Sequence, residues 1–434
     1  MRSLPTKRPL LLFWLLPLLL TACIPRGIRV PQSPYLRNLE RKSGLIAYIG
    51  TDGNIYTINQ GGGNQTAITD DAEFPGQYLF PTWRPNSQEL AFVGVENSED
   101  DTPAQVKIYL AAADGSDMRE IYHSNSRVPF YLYWSPDGNT LTFLASTLFG
   151  GHMTLEMVTA DGEESQILDT GEPYYWTWAP DGNQMFIHAG GTTAESRLSF
   201  LHLSDPVIEQ VTTFQPSFFQ APAWSPDGQQ LLIATKTDAE ENTLLLVDQQ
   251  GNEVRVVKTL ESSAGIAFAW SPDGQKIAYI VSERARTQGV LGPLTVVDTT
   301  NSENVITPEE DQVVAFFWSP DSQKLAYIVP VRAPVDESDS PQQPILLLAL
   351  YVLDVTSGES EVVAVFQPTQ EFVSILPFFD QYQHSTTIWS PDSNNLVLTA
   401  FTGDETPDVW VVAASGRLEP RVIAEGVLAF WSWK

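Results

Sequence analysis

The chain has 434 residues, 24 basic against 53 acidic side chains, and a single cysteine. A net charge of −29 builds a field that repels phosphate backbones, so nucleic acid is not an expected partner, and the same acidity keeps an exported protein soluble. One cysteine excludes internal disulfides, and the length supplies enough apolar core to fold without them.

Residues 1–22 read as an export signal. Arg2, Lys7 and Arg8 form a basic start, and Leu10 to Leu20 form an apolar run of 11 residues, short for a bilayer span and suited to a signal peptide. Leu20-Thr21-Ala22-Cys23 resembles a bacterial lipobox, which implies lipidation of Cys23 as the mature N-terminus; an uncleaved anchor is the alternative. Residues 23–43 read as a tether with three prolines, in which Arg26, Arg29, Arg37, Arg41 and Lys42 stand against Glu40 alone. Such a segment is either a plain linker or lies on anionic head groups at ~1 kcal/mol per basic residue. Loss of the signal leaves 21 basic against 53 acidic residues, a net charge of −32.

Residues 44–434 are a repeat. Trp83 begins WRPNS, Trp134 WSPDG, Trp178 WAPDG, Trp224 WSPDG, Trp270 WSPDG, Trp318 WSPDS and Trp389 WSPDS, and Trp431 opens WSWK. Successive spacings are 51, 44, 46, 46, 48, 71 and 42, a period of stacked or radial supersecondary units. An apolar run precedes each Trp (Ile266 to Ala269) and another follows the turn (Ile277 to Ile280), which predicts a hairpin. Pro stops the first strand, Asp accepts from the turn backbone, and Gly supplies a positive φ. Two weaker strands complete each unit, as in 294–298 and 304–307, joined by polar turns such as ADGSD at 113–117 and ADGEE at 160–164. Four short antiparallel strands per period, named A to D with A ending on the Trp, make a propeller blade. The eight Trp read as packing between blades.

WSPDG followed by an apolar strand resembles the PD40 (WD40-like) β-propeller repeat of the TolB-type family over about residues 44–434. The resemblance implies an all-β fold, a single β-propeller, and says little about function, because the motif is a scaffold turn. The chain leaves no room for the α/β domain of TolB, and the hydrolase elbow GxSxG of propeller-bearing peptidases does not occur.

The chain ends on a strand-A pattern, Val427 to Trp431, and its repeat region begins on a strand-B pattern, Leu45 to Ile49. The last strand is therefore expected to complete the first blade, which removes free sheet edges. Counting strand-B starts gives eight blades, or seven if one weak unit is an insertion.

Strand parity places A–B and C–D turns on one face and B–C and D–A connections on the other. The second set is long and irregular, where binding usually resides. Its D–A connections are aromatic, nominating Tyr78, Phe80, Tyr131, Tyr175, Phe219, Phe379 and Tyr382 for partner binding; the alternative is that they belong to the core. Its B–C connections are acidic, at 96–101, 238–242, 336–339 and 404–408. His123, His152, His188, His202 and His384 show no metal-ligand spacing, and no phosphate or dinucleotide loop occurs, so no cofactor, metal or catalytic residue is expected. The reading is a non-catalytic, monomeric, lipid-anchored protein of the cell envelope that binds a protein or peptide through its long-loop face. The alternative is a propeller enzyme or sensor acting on an envelope glycan or peptide through carboxylates in the central funnel.

Overall fold

The computed structural model describes residues 42–74, 76–96, 105–147, 153–237, 241–260, 265–282, 289–300, 304–332, 345–403 and 406–434. Cys23, most of the tether and most of the acidic B–C connections lie outside the described residues.

Eight antiparallel sheets form a closed β-propeller. Blade I takes strand A from Leu428–Trp431 and strands B to D from Ile46–Ile49, Ile55–Ile58 and Thr66–Ala67. Blade II runs through Tyr78–Trp83, Glu89–Glu96, Gln105–Ala112 and Arg119–Ser124, and blade III through Arg127–Trp134, Thr140–Thr147, Met153–Thr159 and Ser165–Gly171. Blade IV comprises Tyr174–Trp178, Gln184–Ala189, Arg197–His202 and Ile208–Val211. In blade V two short pieces, Gln215–Pro216 and Ala223–Trp224, share strand A, followed by Gln230–Lys236, Asn242–Asp248 and Glu253–Leu260. Blade VI has Ile266–Trp270, Lys276–Val281, Leu294–Asp298 and Val305–Ile306; blade VII has Ala315–Trp318, Lys324–Arg332, Leu346–Asp354 and Ser360–Phe366. Blade VIII pairs Asn395–Thr402, Thr406–Ala413 and Arg421–Glu425, and its strand A shrinks to one bridge, Trp389 to Leu396.

Closure follows the expected pattern. Ile46 pairs with Trp431 and Ile49 with Leu428, so the two ends of the repeat region share one sheet. Strands A and B are mostly buried, as in Tyr174–Trp178 and Ile266–Trp270, whereas strand D exposes apolar residues such as Ile208, Val211 and Val365. Strand A is therefore innermost and faces the channel, and strand D forms the rim.

The A–B turns also link one blade to the next. Gly138, Gly182, Gly228 and Gly274 hold φ between +68° and +72°, and Ser87, Ser322 and Ser393 hold +59° to +61° at the equivalent place. A side chain there costs of order 1 kcal/mol, and each serine offsets it with a bond glycine lacks. Ser322 Oγ accepts from the Asp273 N–H at 3.0 Å, Ser393 Oγ from Asp321 at 3.0 Å, and Ser87 Oγ from Lys434 at 2.9 Å. Ser43 Oγ continues the series by accepting from Asp392 at 3.1 Å. The chain thus enters the propeller inside a belt of turn-to-turn hydrogen bonds.

Between blades VII and VIII the D–A connection becomes helical: α1 is Gln370–Ile375, a 3-10 turn spans Leu376–Phe378, and α2 is Phe379–Tyr382. Thr369 caps α1 by accepting from the Phe372 N–H, and Glu371 sits in its first turn.

Candidate functional site: a tryptophan and proline cup

The helical segment plugs the channel. Phe379 is 1% exposed and lies edge-on to Phe316, centroids 5.1 Å apart, in the innermost strand of blade VII. Gln381 reaches the other side: its Nε2 donates to Tyr131 Oη at 2.8 Å and to the Trp176 carbonyl at 2.9 Å, and its Oε1 accepts from the Trp176 N–H at 3.2 Å. One amide side chain thus satisfies the inner edge of blade IV, which has no neighbouring strand to pair with. The Asp380 carboxylate accepts from the Ala221 N–H in blade V at 2.8 Å. Burial raises the Asp380 carboxyl to about 6, although backbone N–H groups of Ala221 and Gln381 work the other way. The gap between plug and blades I to III measures about 10 Å³, the room of one water at most.

This arrangement relocates the nominated aromatics. Tyr131 is 3% exposed, sits at φ +48° in a bulge of strand A, and donates to the Gln381 carbonyl at 2.6 Å. Phe80 occupies the corresponding bulge of blade II at φ +55° and is half-buried. Bulges re-aim side chains, and these two point Tyr131 and Phe80 at the plug. Tyr382 is half-buried, edge-on to Tyr131 at 5.0 Å. Tyr175 is buried and stacks on half-buried Phe219 at 4.2 Å, and Tyr78 is buried with its hydroxyl donating to Asp71 at 2.7 Å. The expected aromatic face is therefore a core: the aromatics of the D–A connections turn inward because the plug covers them.

The opening lies at the other end. Two cavities of about 370 and 390 Å³ sit among the A–B turns. The smaller is walled by Trp224, Trp270, Trp318 and Trp389, the larger by Trp83, Trp134, Trp178 and Trp224. Trp224, Pro226, His384 and Trp433 line both, so the two are lobes of one cup that touches every blade. The turn prolines, among them Pro136, Pro226 and Pro272, stand exposed around it, and His384 to Thr387 of the plug make its floor. Among the described residues no carboxylate lines either lobe.

The eight repeat tryptophans are all buried, at most 9% exposed, which fits packing between blades. Their indole N–H groups are not treated alike. Trp83, Trp270 and Trp389 donate to the carbonyl just before the preceding blade's Trp: Phe430 at 3.4 Å, Ala223 at 3.1 Å and Phe317 at 2.9 Å. Trp178 donates to Thr142 Oγ1 at 3.1 Å and Trp431 to the Ser43 carbonyl at 2.7 Å. The indole N–H groups of Trp134, Trp224 and Trp318 have no partner among the described residues, nor has Nε2 of His384. Burial holds the His384 imidazole down at about 4, against the opposing bond to the Pro222 carbonyl, so the ring is neutral near pH 7.

Outside the cup stands a ring of exposed turn carboxylates: Asp137, Asp181, Asp227, Asp273, Asp321 and Asp392. Ser225 Oγ–H donates to Asp227, lowering its carboxyl. Burial works to raise the Asp137 and Asp321 carboxyls, but bonds from Ser135, Ser319 and the turn N–H groups outweigh it and hold both below the usual range. Asp137, Asp227 and Asp321 therefore stay charged under mildly acidic conditions. Among the described residues no group of three or more His, Cys, Asp or Glu is arranged to hold a metal ion, and no helix is long and apolar enough to cross a membrane.

Residue spacing alone missed the plug and the cup. The signal for the plug was the interval of 71 residues between Trp318 and Trp389. The cup has a signal too, the Pro two residues after each of seven Trp, which serves both to stop a strand and to line the cup.

Comparison with known proteins bears on the fold. The model of the eukaryotic translation initiation factor eIF2A family matches residues 119–291, less than half of the chain. A crystal structure of the eukaryotic initiation factor is 12% identical with a TM-score of 0.50, covering 91% of this chain and 98% of that one. Oligogalacturonate lyase from Vibrio parahaemolyticus is 14% identical (TM-score 0.47; 86% and 98% covered), and TolB from Acinetobacter baumannii is 14% identical (TM-score 0.37; 78% and 80% covered). No curated protein matches the chain in sequence. At these identities the likeness is one of fold: the chain is a WD40-like β-propeller of eight blades.

Proposed function

We propose that this protein is a non-catalytic binding scaffold, held at the cell envelope by a lipid on Cys23, that takes a protein or peptide segment into the tryptophan and proline cup. The observation that carries the reading is the pair of adjoining lobes of about 370 and 390 Å³, walled by indole and proline rings and, among the described residues, free of carboxylates. Concave, mostly apolar sites with a few polar groups are the usual form of a binding pocket. Asp380 is the buried carboxylate of the plug, and its bond to the Ala221 N–H fixes it between plug and blade rather than in either lobe. Hydrolysis of a glycosidic bond uses two carboxyl groups flanking that bond, and the lobes offer none.

This moves the working face from the long-loop side to the short-turn side. Photo-crosslinkers at positions 137, 227 and 321 should capture the partner from membranes, and crosslinkers at positions 96 and 237, on the opposite face, should not. Pro226→Ala and Pro272→Ala keep a backbone the turn tolerates and should lower affinity about tenfold, roughly 1.4 kcal/mol. Capture from positions 96 and 237 alone would overturn the assignment.

A further inference from the structure

We infer that the resident occupant of the cup is the protein's own segment 24–41, which must leave before a partner enters. The inference rests on reading the cup as a peptide site.

The first argument is where the chain enters. Ser43 is fixed at the rim: its carbonyl accepts from Trp431 Nε1 at 2.7 Å, its Oγ accepts from the Asp392 N–H at 3.1 Å, and its N–H donates to Gln60 Oε1 at 3.2 Å. Gly44 turns at φ +67°, and a Cβ there would stand 2.5 Å from Ser432 Oγ and 2.9 Å from Pro391 Cγ, both residues that line the cup. The segment that precedes Ser43 therefore starts at the lip of the cavity.

Charge is the second argument. Residues 24–41 carry Arg26, Arg29, Arg37 and Arg41 against Glu40, in a chain whose net charge is −29. The face they emerge on bears the ring of turn aspartates, and its C–D turns add exposed Asp114, Asp117, Asp161, Glu163 and Glu164. Opposite charges on a segment and the face it leaves favour contact, and the attraction weakens with salt.

The third argument is the chemistry of the walls. Proline-containing segments adopt an extended left-handed helix before they bind and dock into aromatic-lined grooves. The cup holds complementary surfaces, the faces of its proline and indole rings. Pro25, Pro31 and Pro34 are spaced along the segment, with Ile28, Val30 and Tyr35 between them. Reach is ample. Eighteen residues at ~3.1 Å each extend ~56 Å, whereas eight sheets packed ~10 Å apart make a ring roughly 25 Å across. Tethering also supplies a local concentration of order mM, so a weak contact suffices to keep the cup filled.

The test uses the full-length protein. A photo-crosslinking amino acid at Val30 should form adducts with residues 83–85, 134–136, 178–180, 224–226 and 433. Arg26→Glu, Arg29→Glu and Arg37→Glu combined should reduce those adducts at least fivefold, as should 0.5 M salt. A labelled synthetic peptide of residues 24–41 should bind the triple variant at least tenfold more tightly than the wild type, whose cup is already filled. Adducts confined to the outer strands, or to lipid when vesicles with anionic head groups are present, would overturn the inference. If the labelled peptide binds the turn face of the variant while Val30 gives no adduct there, self-occupancy is wrong and the cup remains a peptide site. If the peptide fails to bind the variant at all, the reading of the cup falls as well.

Discussion

Replacing Phe379 by alanine separates a channel plug from a surface loop. The ring is 1% exposed, packs edge-on to Phe316 at 5.1 Å and to Phe317 at 6.1 Å, and belongs to the same buried cluster as Trp318, Trp389 and Trp431. Truncating a buried Phe to Ala costs ~3–5 kcal/mol, part lost transfer energy and part the cavity left behind. A propeller of about 390 residues has an unfolding entropy near 0.8 kcal/mol per degree, so this loss lowers Tm by roughly 4–6 °C. Differential scanning calorimetry on the wild type and Phe379→Ala reads the shift directly. Crosslinking from position 227 should still capture the partner, because Phe379 does not line the cup. A melting temperature within one degree of the wild type would mean that the segment does not fill the channel. Loss of capture with unchanged melting would restore Phe379 as an interface residue.

Other expected outcomes follow from the same geometry. Deleting Val427–Lys434 removes the strand paired with Ile46–Ile49 and the buried Trp431, leaving blade I open, so cooperative melting should be lost or fall by more than 5 °C; a parent-like melt would argue against closure. Asp380 and His384 should bend the pH profile of stability in opposite senses. The folded Asp380 carboxyl lies at about 6 against an ordinary 3.8, so its share of stability is lost as pH rises between those values; the folded imidazole lies at about 4 against 6.5, so its share is lost as pH falls through that window. Relative to the wild type, urea titrations should show Asp380→Asn gaining stability from pH 4 to 6 and His384→Gln losing it; two parallel profiles would refute both assignments. Cys23→Ser should release the protein from the membrane fraction, and unchanged partition would end the lipoprotein proposal.

The blades were legible because one turn chemistry repeats. Pro, Asp and a residue tolerant of positive φ are local requirements, so each instance announces its hairpin, and parity then puts the chain entry at Ser43 on the short-turn face. Even the turns that break the pattern were marked, since Ser87, Ser322 and Ser393 stand where glycine was expected; their reason, a bond to the neighbouring turn, involves residues some 50 to 350 positions away. The plug was less legible. Phe378 to His384 is rich in aromatics whether it covers a surface or fills a channel, and only contacts with Phe316, Tyr131 and Trp176 decide between them. The same holds for Tyr131 and Phe80, whose direction depends on a bulge that sequence alternation hides. The repeat tryptophans are all buried, yet a side chain can be nearly buried and still line a cavity. That second role emerges where seven of the eight, all but Trp431, line one cup.

The two ends of the channel divide the work. At the long-loop end, the plug spends polar groups on the inner strand edges: Gln381 serves blade IV, Asp380 serves blade V, and Thr369 Oγ1 donates to the Val427 carbonyl beside blade I at 2.7 Å. At the short-turn end, three indole N–H groups and the acceptor nitrogen of His384 are left without partners among the described residues. An unpaired buried polar group costs ~1–3 kcal/mol, and the long-loop end leaves such groups too, on Thr147, Ser217 and Asn242. The four at the short-turn end are closed off from solvent, so a ligand in the cup meets the indole and proline rings rather than these atoms. Binding should then be worth about what its apolar contact area implies. Saturating the cup with a proline-rich peptide should raise Tm, and the rise should be smaller on Trp224→Ala, which removes a wall shared by both lobes. Equal rises on both proteins would show that the peptide binds elsewhere than in the cup.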